Sequence, residues 1–402
     1  MCAETSRKLK ILCLIEASAW DGAKEQTYLF VREMSKYHNV ELAINEDFKR
    51  MTRLTYNYVK IHYFEKYGPV KLRYNLNNYI RLAKIINENN YDLIITQSSM
   101  TMGYVRAIYP WLKNQNRIDS KNSNDSKQKK PKIIAVKRGD TIPNIFSRRI
   151  KYSIADEIVL VSKHVKAELE KNNSHKQQLH AIESGIDMSR FNPGDGIALD
   201  VRSRLDLSEN DKVFINVSNW DLNRKRQHII LQAFSKLKNE NCTLLLVGNG
   251  TDSKEASEKI SEYGISDRVR CLGFRDDVPD LLRASDYFVM SSNSEGIAGA
   301  LLQAMACGKV VLSTNAGGIQ EYLIDGVNGY AADVDDIESF SSKFTALPDL
   351  SIPDRNKLEK AAIETAHKYS LDYNIERWLN LIEHTFSRKV ARPQLINPMT
   401  HH

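Results

Sequence analysis

Short apolar runs alternate with amphipathic stretches along this sequence. The run LKILCLI (9–15) is followed, after a turn at Gly22, by an amphipathic stretch over 25–37. Comparable apolar runs in the first half lie at 40–44, 93–96, 133–136 and 158–161. Short runs without polar positions are typical of strands buried on both faces, and their alternation with helices predicts a parallel sheet covered by helices.

The alternation pauses at 191–196 (FNPGDG) and then starts again. In the second half the strand-like runs lie at 213–217, 243–247, 269–272, 287–290 and 310–313. At roughly 100–200 residues per domain, the chain is long enough for two domains. We therefore predict an α/β fold with two Rossmann-like, doubly wound domains, 1–194 and 195–370, that face each other across a cleft. Such clefts lie at the carboxyl ends of the strands, where these folds bind ligands.

Composition excludes several classes of protein. The chain has 402 residues, of which 42% are hydrophobic and 27% charged, as in globular proteins. No apolar run approaches the ~18–20 residues of a membrane span, and the N-terminus has no signal-peptide core. The five cysteines are odd in number and lack CxxC spacing. These features predict a cytoplasmic protein with reduced, buried thiols and no cysteine metal site.

Charge is distributed unevenly between the two halves. Residues 1–194 contain 33 Lys and Arg against 20 Asp and Glu, a balance of +13, and the remainder contains 24 against 30, or −6. A basic half suits nucleic acid, an anionic membrane surface or an acidic substrate, and a solvated basic face explains it equally well.

The stretch 291–330 contains two glycine-containing turns, each of which opens a helix. The first turn comprises Gly296, Ile297, Ala298 and Gly299, and the second is 315–318 (NAGG). The N–H groups and the positive end of a helix dipole can receive a diphosphate there. Two such turns about 20 residues apart are stronger evidence for a phosphate site than one.

At this point the chain resembles the family 4 retaining glycosyltransferases of the GT-B fold, from about residue 10 to 386. The matching strings are SEGIAGALLQAMACGKVVLST (294–314), AGGIQE (316–321), VSNWDLNRKRQHIILQAF (217–234), LGFRDDVPDLLRASDYFVMSS (272–292), ADEIVLVSKHVKAEL (155–169) and ESGIDMSRFNP (183–193). The resemblance implies transfer of a sugar from a nucleotide-diphosphate sugar, expected to be a UDP-sugar. It implies a glycan or lipid-linked acceptor, no metal and no other cofactor. The final helix, 371–390, is expected to return toward the first domain.

The resemblance also implies roles at the donor site. Lys225, with Arg224 beside it, matches the lysine that stabilises the leaving diphosphate. Cations oppose the dipole at a helix start, which favours a ligand role over a solvated charge run. Glu295 matches a glutamate near the transferred sugar. Gln303 stands where the family has the ribose-binding glutamate, and its uncharged amide forms weaker hydrogen bonds.

The remaining implied positions surround the cleft. Phe274 and Arg275 occupy the nucleotide-base position. Asp21 and Gly22 replace a Gly-Gly turn over the diphosphate, which makes Asp21 a candidate on the acceptor side. Arg138 and Asp140 resemble an Arg-Asp variant of a loop that often carries a histidine.

Residues 49–84 interleave basic residues with six tyrosines. This mixture suits an anionic bilayer, and predicts an enzyme that binds peripherally to the inner face of the membrane. A tyrosine-rich packed helix pair with solvated lysines explains it equally well. No RNA-binding module is visible, so nucleic acid is not expected as a partner.

Two other functions stay open. A non-catalytic protein that binds nucleotide sugars is suggested by Gln303 and by the altered turn at Asp21. A nucleotide-sugar 2-epimerase has the same fold, but the strings above resemble transferases.

Overall fold

The computed structural model describes residues 7–16, 20–46, 48–65, 75–114, 130–139, 150–171, 177–194, 197–238 and 241–387. The strands of the N-terminal part are β1 (Lys10–Leu14), β2 (Asn39–Asn45), β3 (Lys60–Glu65), β4 (Leu93–Thr96), β5 (Lys132–Lys137), β6 (Glu157–Leu160) and β7 (Gln178–Ala181). They form one sheet in the spatial order β3-β2-β1-β4-β5-β6-β7, and all the pairings are parallel. The helices of this part are α1 (Gly22–Met34), α2 (Lys49–Thr55), α3 (Leu76–Asn89), α4 (Ser99–Ile108) and α5 (Lys163–Lys171).

The central strand β1 shows why the apolar runs are continuous. Ile11 and Cys13 belong to the hydrophobic cluster that contains Val31 of α1. Leu12 and Leu14 belong to a different cluster. Because successive side chains point to opposite faces, a strand covered on both faces needs apolar residues at every position.

A second parallel sheet follows in the C-terminal part. Its strands are β8 (Lys212–Val217), β9 (Cys242–Val247), β10 (Val269–Gly273), β11 (Tyr287–Met290), β12 (Val310–Thr314) and β13 (Tyr330–Ala332), in the order β10-β9-β8-β11-β12-β13. Its helices are α6 (Ile197–Arg204), α7 (Gln227–Ser235), α8 (Lys254–Glu262), α9 (Val278–Ala284), α10 (Gly299–Ala306), α11 (Ile337–Ala346), α12 (Ile352–His367) and α13 (Leu371–Ser387). The predicted α/β class with two parallel sheets is confirmed. None of the helices in the described ranges has the length and apolar character that crossing a membrane requires.

The thiols of the described cysteines are free. Cys13, Cys242 and Cys307 are buried, and Cys271 is partly buried. Burial raises the pKa of the Cys13 thiol to about 12 and that of Cys307 to about 11. These thiols therefore stay protonated and unreactive at neutral pH.

The last helix, α13, packs against the N-terminal sheet. Ile375 and Trp378 lie in the same hydrophobic cluster as Ile11 of β1. The chain returns at a bridge between Ile186 and Ser370, where the Leu371 N–H donates to the Ile186 carbonyl over 2.8 Å. The helix thus links the two parts of the chain.

Replacing Trp378 by alanine is expected to destabilise this link by about 3–5 kcal/mol, a typical effect for a large buried aromatic residue. The Trp378 side chain is 4% exposed and meets the Phe30 ring of α1 edge-on, with 4.9 Å between ring centroids. Thermal unfolding followed by circular dichroism measures the change. Tyr373→Ala on the same helix is the control, because Tyr373 is 50% exposed. Equal melting temperatures of the two variants would contradict the role assigned to α13.

Candidate active site

The carboxyl ends of the two sheets approach each other at a loop that follows β11. A Cβ atom added at Gly296 in this loop would lie 2.8 Å from the carbonyl oxygen of Arg138, which follows β5 of the other sheet. It would also lie 3.0 Å from Val161 Cγ2. Only a glycine allows the two backbones to come this close.

Lys225 and Glu295 form an ion pair at this loop. Lys225 Nζ lies 2.5 Å from Glu295 Oε1, and the side chains are 14% and 10% exposed. Ser291 fixes the backbone of the loop that carries Lys225. Its hydroxyl donates to the carbonyl oxygens of Lys225 and Arg226 over 3.0 and 2.8 Å. The structure therefore brings together two of the residues predicted to act on the donor.

The turn at 296–299 leads directly into α10. Ala298 has a φ of +46°, and no side chain caps the helix. The first-turn N–H groups are not used within a helix, and they carry the positive end of its dipole. Gly296, Ile297, Ala298 and Gly299 directly follow Glu295, which pairs with Lys225, so this helix start is the candidate position for a diphosphate.

The second glycine turn, at 315–318, contacts the loop that contains the first turn, at 296–299. It forms a short 3₁₀ helix at Gly317–Glu321. The Gly318 N–H donates to the Glu295 carbonyl over 3.1 Å, and the hydroxyl of Tyr322 donates to the Ile297 carbonyl over 3.0 Å. This turn and Tyr322 therefore support the backbone of the 295–297 loop.

Glu321 at the end of this 3₁₀ helix reaches across to the other sheet. Its carboxylate accepts the backbone N–H groups of Lys163 and His164 over 3.2 and 2.7 Å, and so caps α5. A carboxylate at this position complements the helix dipole. In the contact with Glu321, His164 therefore takes part through its backbone N–H.

Three predicted donor residues have other surroundings in the structure. The Arg224 side chain is 59% exposed, and its Nε lies 3.8 Å from Asp221 Oδ2. Arg275 forms a two-pronged pair with Asp277, with distances of 2.8 and 2.5 Å. Gln303 on α10 is partly buried, and no hydrogen bond of its side-chain amide is found within the described ranges.

Asp21 performs a local role that the sequence analysis did not anticipate. Its carboxylate caps α1 by accepting the N–H groups of Ala23 and Lys24 over 2.9 and 3.2 Å, and it also pairs with Lys24 Nζ at 2.6 Å. A Cβ atom at Gly22 would meet nothing within 4 Å. The Asp21-Gly22 turn therefore forms the capped N-terminus of α1.

Arg138 is linked to the centre of the N-terminal sheet through Gln97. An Arg138 Nη2–H donates to Gln97 Oε1 over 2.5 Å, and the Gln97 amide contacts the Cys13 sulfur at 3.5 Å. Burial lowers the pKa of the Arg138 guanidinium to about 10, so it is still charged at neutral pH. The other predicted residue of this loop, Asp140, lies outside the described residues.

Gln97 was missed by the sequence analysis although a signal was available. It directly follows β4, at the same sheet edge as Arg138 after β5. The rule that ligands bind at the carboxyl ends of parallel strands would have selected it.

Within the part of the chain that the structure describes, no group of three or more His, Cys, Asp or Glu side chains is arranged to hold a metal ion. The positive charge near this loop comes from Lys225, whose Nζ pairs with Glu295, from Arg138 and from the N-terminus of α10.

Comparison with known proteins identifies the family. The family model described as Glycosyltransferase Family 4 matches residues 20–190, and the model described as Glycosyl transferases group 1 matches residues 200–365. The chain is 37% identical over 131 residues to the N-acetyl-alpha-D-glucosaminyl L-malate synthase of Bacillus anthracis. It is 33% identical over 145 residues to the lipopolysaccharide core biosynthesis glycosyltransferase LpsE of Rhizobium meliloti.

These two matches cover 32% and 36% of this chain, and 34% and 42% of the relatives' own lengths, less than half of each relative. Among solved structures, Anabaena HepE in complex with UDP and glucose superposes with a TM-score of 0.77 at 18% identity, covering 94% of this chain and 100% of HepE. This superposition shows that the chain and HepE share the same fold. Because the two family models match the two sheets in turn, the chain belongs to the family 4, group 1 glycosyltransferases of the GT-B fold.

Proposed function

We propose that the protein transfers a sugar from a UDP-sugar to a glycan or lipid-linked acceptor in the synthesis of a cell-envelope glycan or glycoconjugate. The observation that carries this proposal is the Lys225–Glu295 pair beside the uncapped start of α10. The names of similar proteins support it. HepE binds UDP and glucose, and the Rhizobium meliloti relative serves lipopolysaccharide core biosynthesis.

In the proposed reaction, the bond between the anomeric carbon and the β-phosphate oxygen breaks. The electron pair leaves with the diphosphate, and the sugar becomes oxocarbenium-like. Lys225 and the main-chain N–H groups at 297–299 stabilise the negative charge on the leaving group, which is the main requirement of such a step. Glu295 lies beside Lys225, where it can accept hydrogen bonds from sugar hydroxyls.

The acceptor hydroxyl then attacks the anomeric carbon, and its proton passes to the departing diphosphate. We propose, from the family resemblance, that the configuration is retained and that no protein nucleophile takes part. We also propose that no metal is required, because Lys225 and the helix start supply positive charge at the leaving group.

The experiment is a thermal-shift screen of nucleotide sugars, followed by an assay of UDP release with and without a chelator. Ligand binding to the folded state raises the melting temperature by mass action. We expect a shift with one UDP-sugar and turnover that the chelator leaves unchanged. Binding without UDP release across an acceptor panel would support the non-catalytic alternative, and release that stops with the chelator would contradict metal independence.

Gln303→Glu is expected to strengthen donor binding. A charged carboxylate accepts stronger hydrogen bonds from a ribose diol than an amide does, by about 1 kcal/mol or more, which is about a fivefold fall in the dissociation constant for UDP. Isothermal titration calorimetry measures the change. Gln232→Glu is the control, because Gln232 lies on the exposed side of α7. An unchanged affinity would mean that position 303 does not contact the ribose.

We further propose that the enzyme acts in the cytoplasm and docks on an anionic membrane through the 49–84 region. Tyr56, Tyr58 and Tyr63 are 62%, 52% and 41% exposed, and the exposed Lys60 lies in the same part of the N-terminal sheet edge. Large aromatic side chains in water beside cations suit a bilayer interface. Residues 66–74 of this region lie outside the described residues.

Tyr56→Ala/Tyr58→Ala is expected to weaken co-sedimentation with phosphatidylglycerol vesicles at low salt several-fold. Tyr37→Ala serves as the control, because Tyr37 is also exposed but precedes this region. If wild-type protein does not sediment with anionic vesicles, the membrane proposal is wrong.

A further inference from the structure

Arg50 of α2 reaches across the cleft to the other sheet. Its guanidinium carbon lies 4.5 Å from the centroid of the Trp20 ring, in its own half of the molecule. The same carbon lies 4.7 Å from the centroid of the Phe274 ring, which follows β10 in the C-terminal sheet. One guanidinium thus bridges two aromatic rings that belong to different sheets.

The same arginine also pairs with a carboxylate on the far side. Arg50 Nη2–H donates to Asp276 Oδ1, and this bond holds the pKa of Asp276 below its ordinary value. Arg50 Nε is buried and has no hydrogen-bond partner within the described ranges. The guanidinium is therefore held mainly by ring contacts and by one ion pair.

The Phe274–Asp277 loop, which Arg50 contacts, is also held locally, because the Asp277 carbonyl accepts the N–H groups of Asp280 and Leu281 at the start of α9. Arg275 is occupied within the loop by its pair with Asp277. Phe274 is 38% exposed. A second contact across the cleft lies nearby, where the Asn249 side-chain amide donates to the Trp20 carbonyl over 3.2 Å. Trp20 directly precedes the Asp21-Gly22 turn.

We infer that Arg50 is a positioning residue of the donor site. It holds the Phe274–Asp277 loop against the N-terminal domain, and so sets the cleft width at the nucleobase end before the donor arrives. This inference rests on the proposed function and on the family resemblance, which implies that Phe274 lies at the base position. It assigns a donor-site role to a residue of the N-terminal domain, and Arg50 itself is not a catalytic residue.

The physical basis is preorganisation. A cation stacked on two aromatic rings stabilises their approach more than an exposed ion pair does, since Asp276 is 61% exposed and surface pairs contribute little. Without the guanidinium, donor binding would have to order the loop and close the cleft at its own cost. The effect should therefore appear in donor affinity, and kcat at saturating donor should change little.

The test compares Arg50→Ala, Arg50→Lys and Lys49→Ala in the full chain. Lys49 is an exposed cation on the same helix and is the matched control. Calorimetry with UDP and small-angle X-ray scattering of the unliganded protein are the two measurements. We expect Arg50→Ala to raise the dissociation constant for UDP about tenfold, which corresponds to about 1.4 kcal/mol, and to increase the radius of gyration. Arg50→Lys keeps the charge and loses the planar stack, so we expect it to restore only part of the affinity.

The outcomes separate this inference from the proposed function. If wild-type protein binds no nucleotide sugar while Arg50→Ala still expands, the proposed function is wrong and the domain contact stands. If wild-type protein binds UDP and Arg50→Ala matches it in affinity and radius of gyration, the inference is wrong. Tighter binding of UDP by Arg50→Ala would also overturn it, because the guanidinium would then be blocking the Phe274 ring.

Discussion

Lys225→Ala is expected to lower kcat/KM for the donor by about 10²–10³-fold, the usual effect of removing one group that stabilises a developing anion. The structure gives the reason. Lys225 Nζ is the cation that contacts Glu295, and both side chains are largely buried. Without the lysine, the Glu295 carboxylate would face the diphosphate uncompensated and repel it. Steady-state assays of UDP release measure the change.

Arg224→Ala is the matched control for this prediction. Arg224 is the neighbouring cation, but its side chain is 59% exposed and contacts Asp221 at 3.8 Å. We expect its loss to change kcat/KM less than about threefold, as is usual for an exposed ion pair. A large loss with Arg224→Ala together with a small loss with Lys225→Ala would contradict the site described above.

Gly318→Ala is expected to disrupt the same site through its backbone. The new Cβ atom would lie 2.0 Å from the Gly296 carbonyl oxygen and 3.0 Å from Ser162 Cβ. Backbone atoms cannot yield as a flexible side chain does, so the Glu295–Gly296 loop must move. We expect a loss of about 2–3 kcal/mol in stability, in the upper range for single substitutions, and a loss of donor binding. Thermal unfolding and UDP calorimetry test the two effects.

Gly103→Ala makes the same chemical change where the structure has room. Gly103 lies inside α4, and the nearest atom to its Cβ would be Lys151 Cε at 3.8 Å. Alanine in a helix interior is more favourable than glycine by about 0.5–1 kcal/mol, so we expect a small gain in stability. Equal melting temperatures of Gly318→Ala and wild type would contradict the close approach of the two turns.

The central strands covered on both faces were predictable from sequence, and the edge strands of the N-terminal sheet were not. The apolar run at 9–15 contains β1, and the run at 93–96 coincides with β4. At one edge of the N-terminal sheet, β7 has the sequence QLHA, and Gln178 in it is exposed. An edge strand has a neighbour on one side only and can carry polar residues, so periodicity does not reveal it. The same holds for β3, which contains Lys60 and His62.

The family resemblance identified the basic loop at 224–226 as part of the donor site. Only the structure shows what each of its three side chains contacts. Arg224, Lys225 and Arg226 are three adjacent cations in the sequence. Arg226 has a φ of +53° and donates to the Val334 carbonyl over 2.7 Å, while Arg224 is directed to solvent. The turn conformation thus leaves Lys225 as the member of the three that contacts Glu295. Local backbone geometry of this kind is not encoded in residue type alone.

From the sequence alone, the alternating apolar runs determined the α/β class, because strands buried on both faces require continuous apolar residues. The glycine-containing turn before α10 likewise indicated a candidate position for an anion. Only the tertiary structure decided which side chains from the two sheets meet. Arg50 and Asp276 are 226 residues apart, and Glu321 caps a helix of the other sheet. Such pairs depend on how the two sheets face each other, which no local pattern of residues specifies.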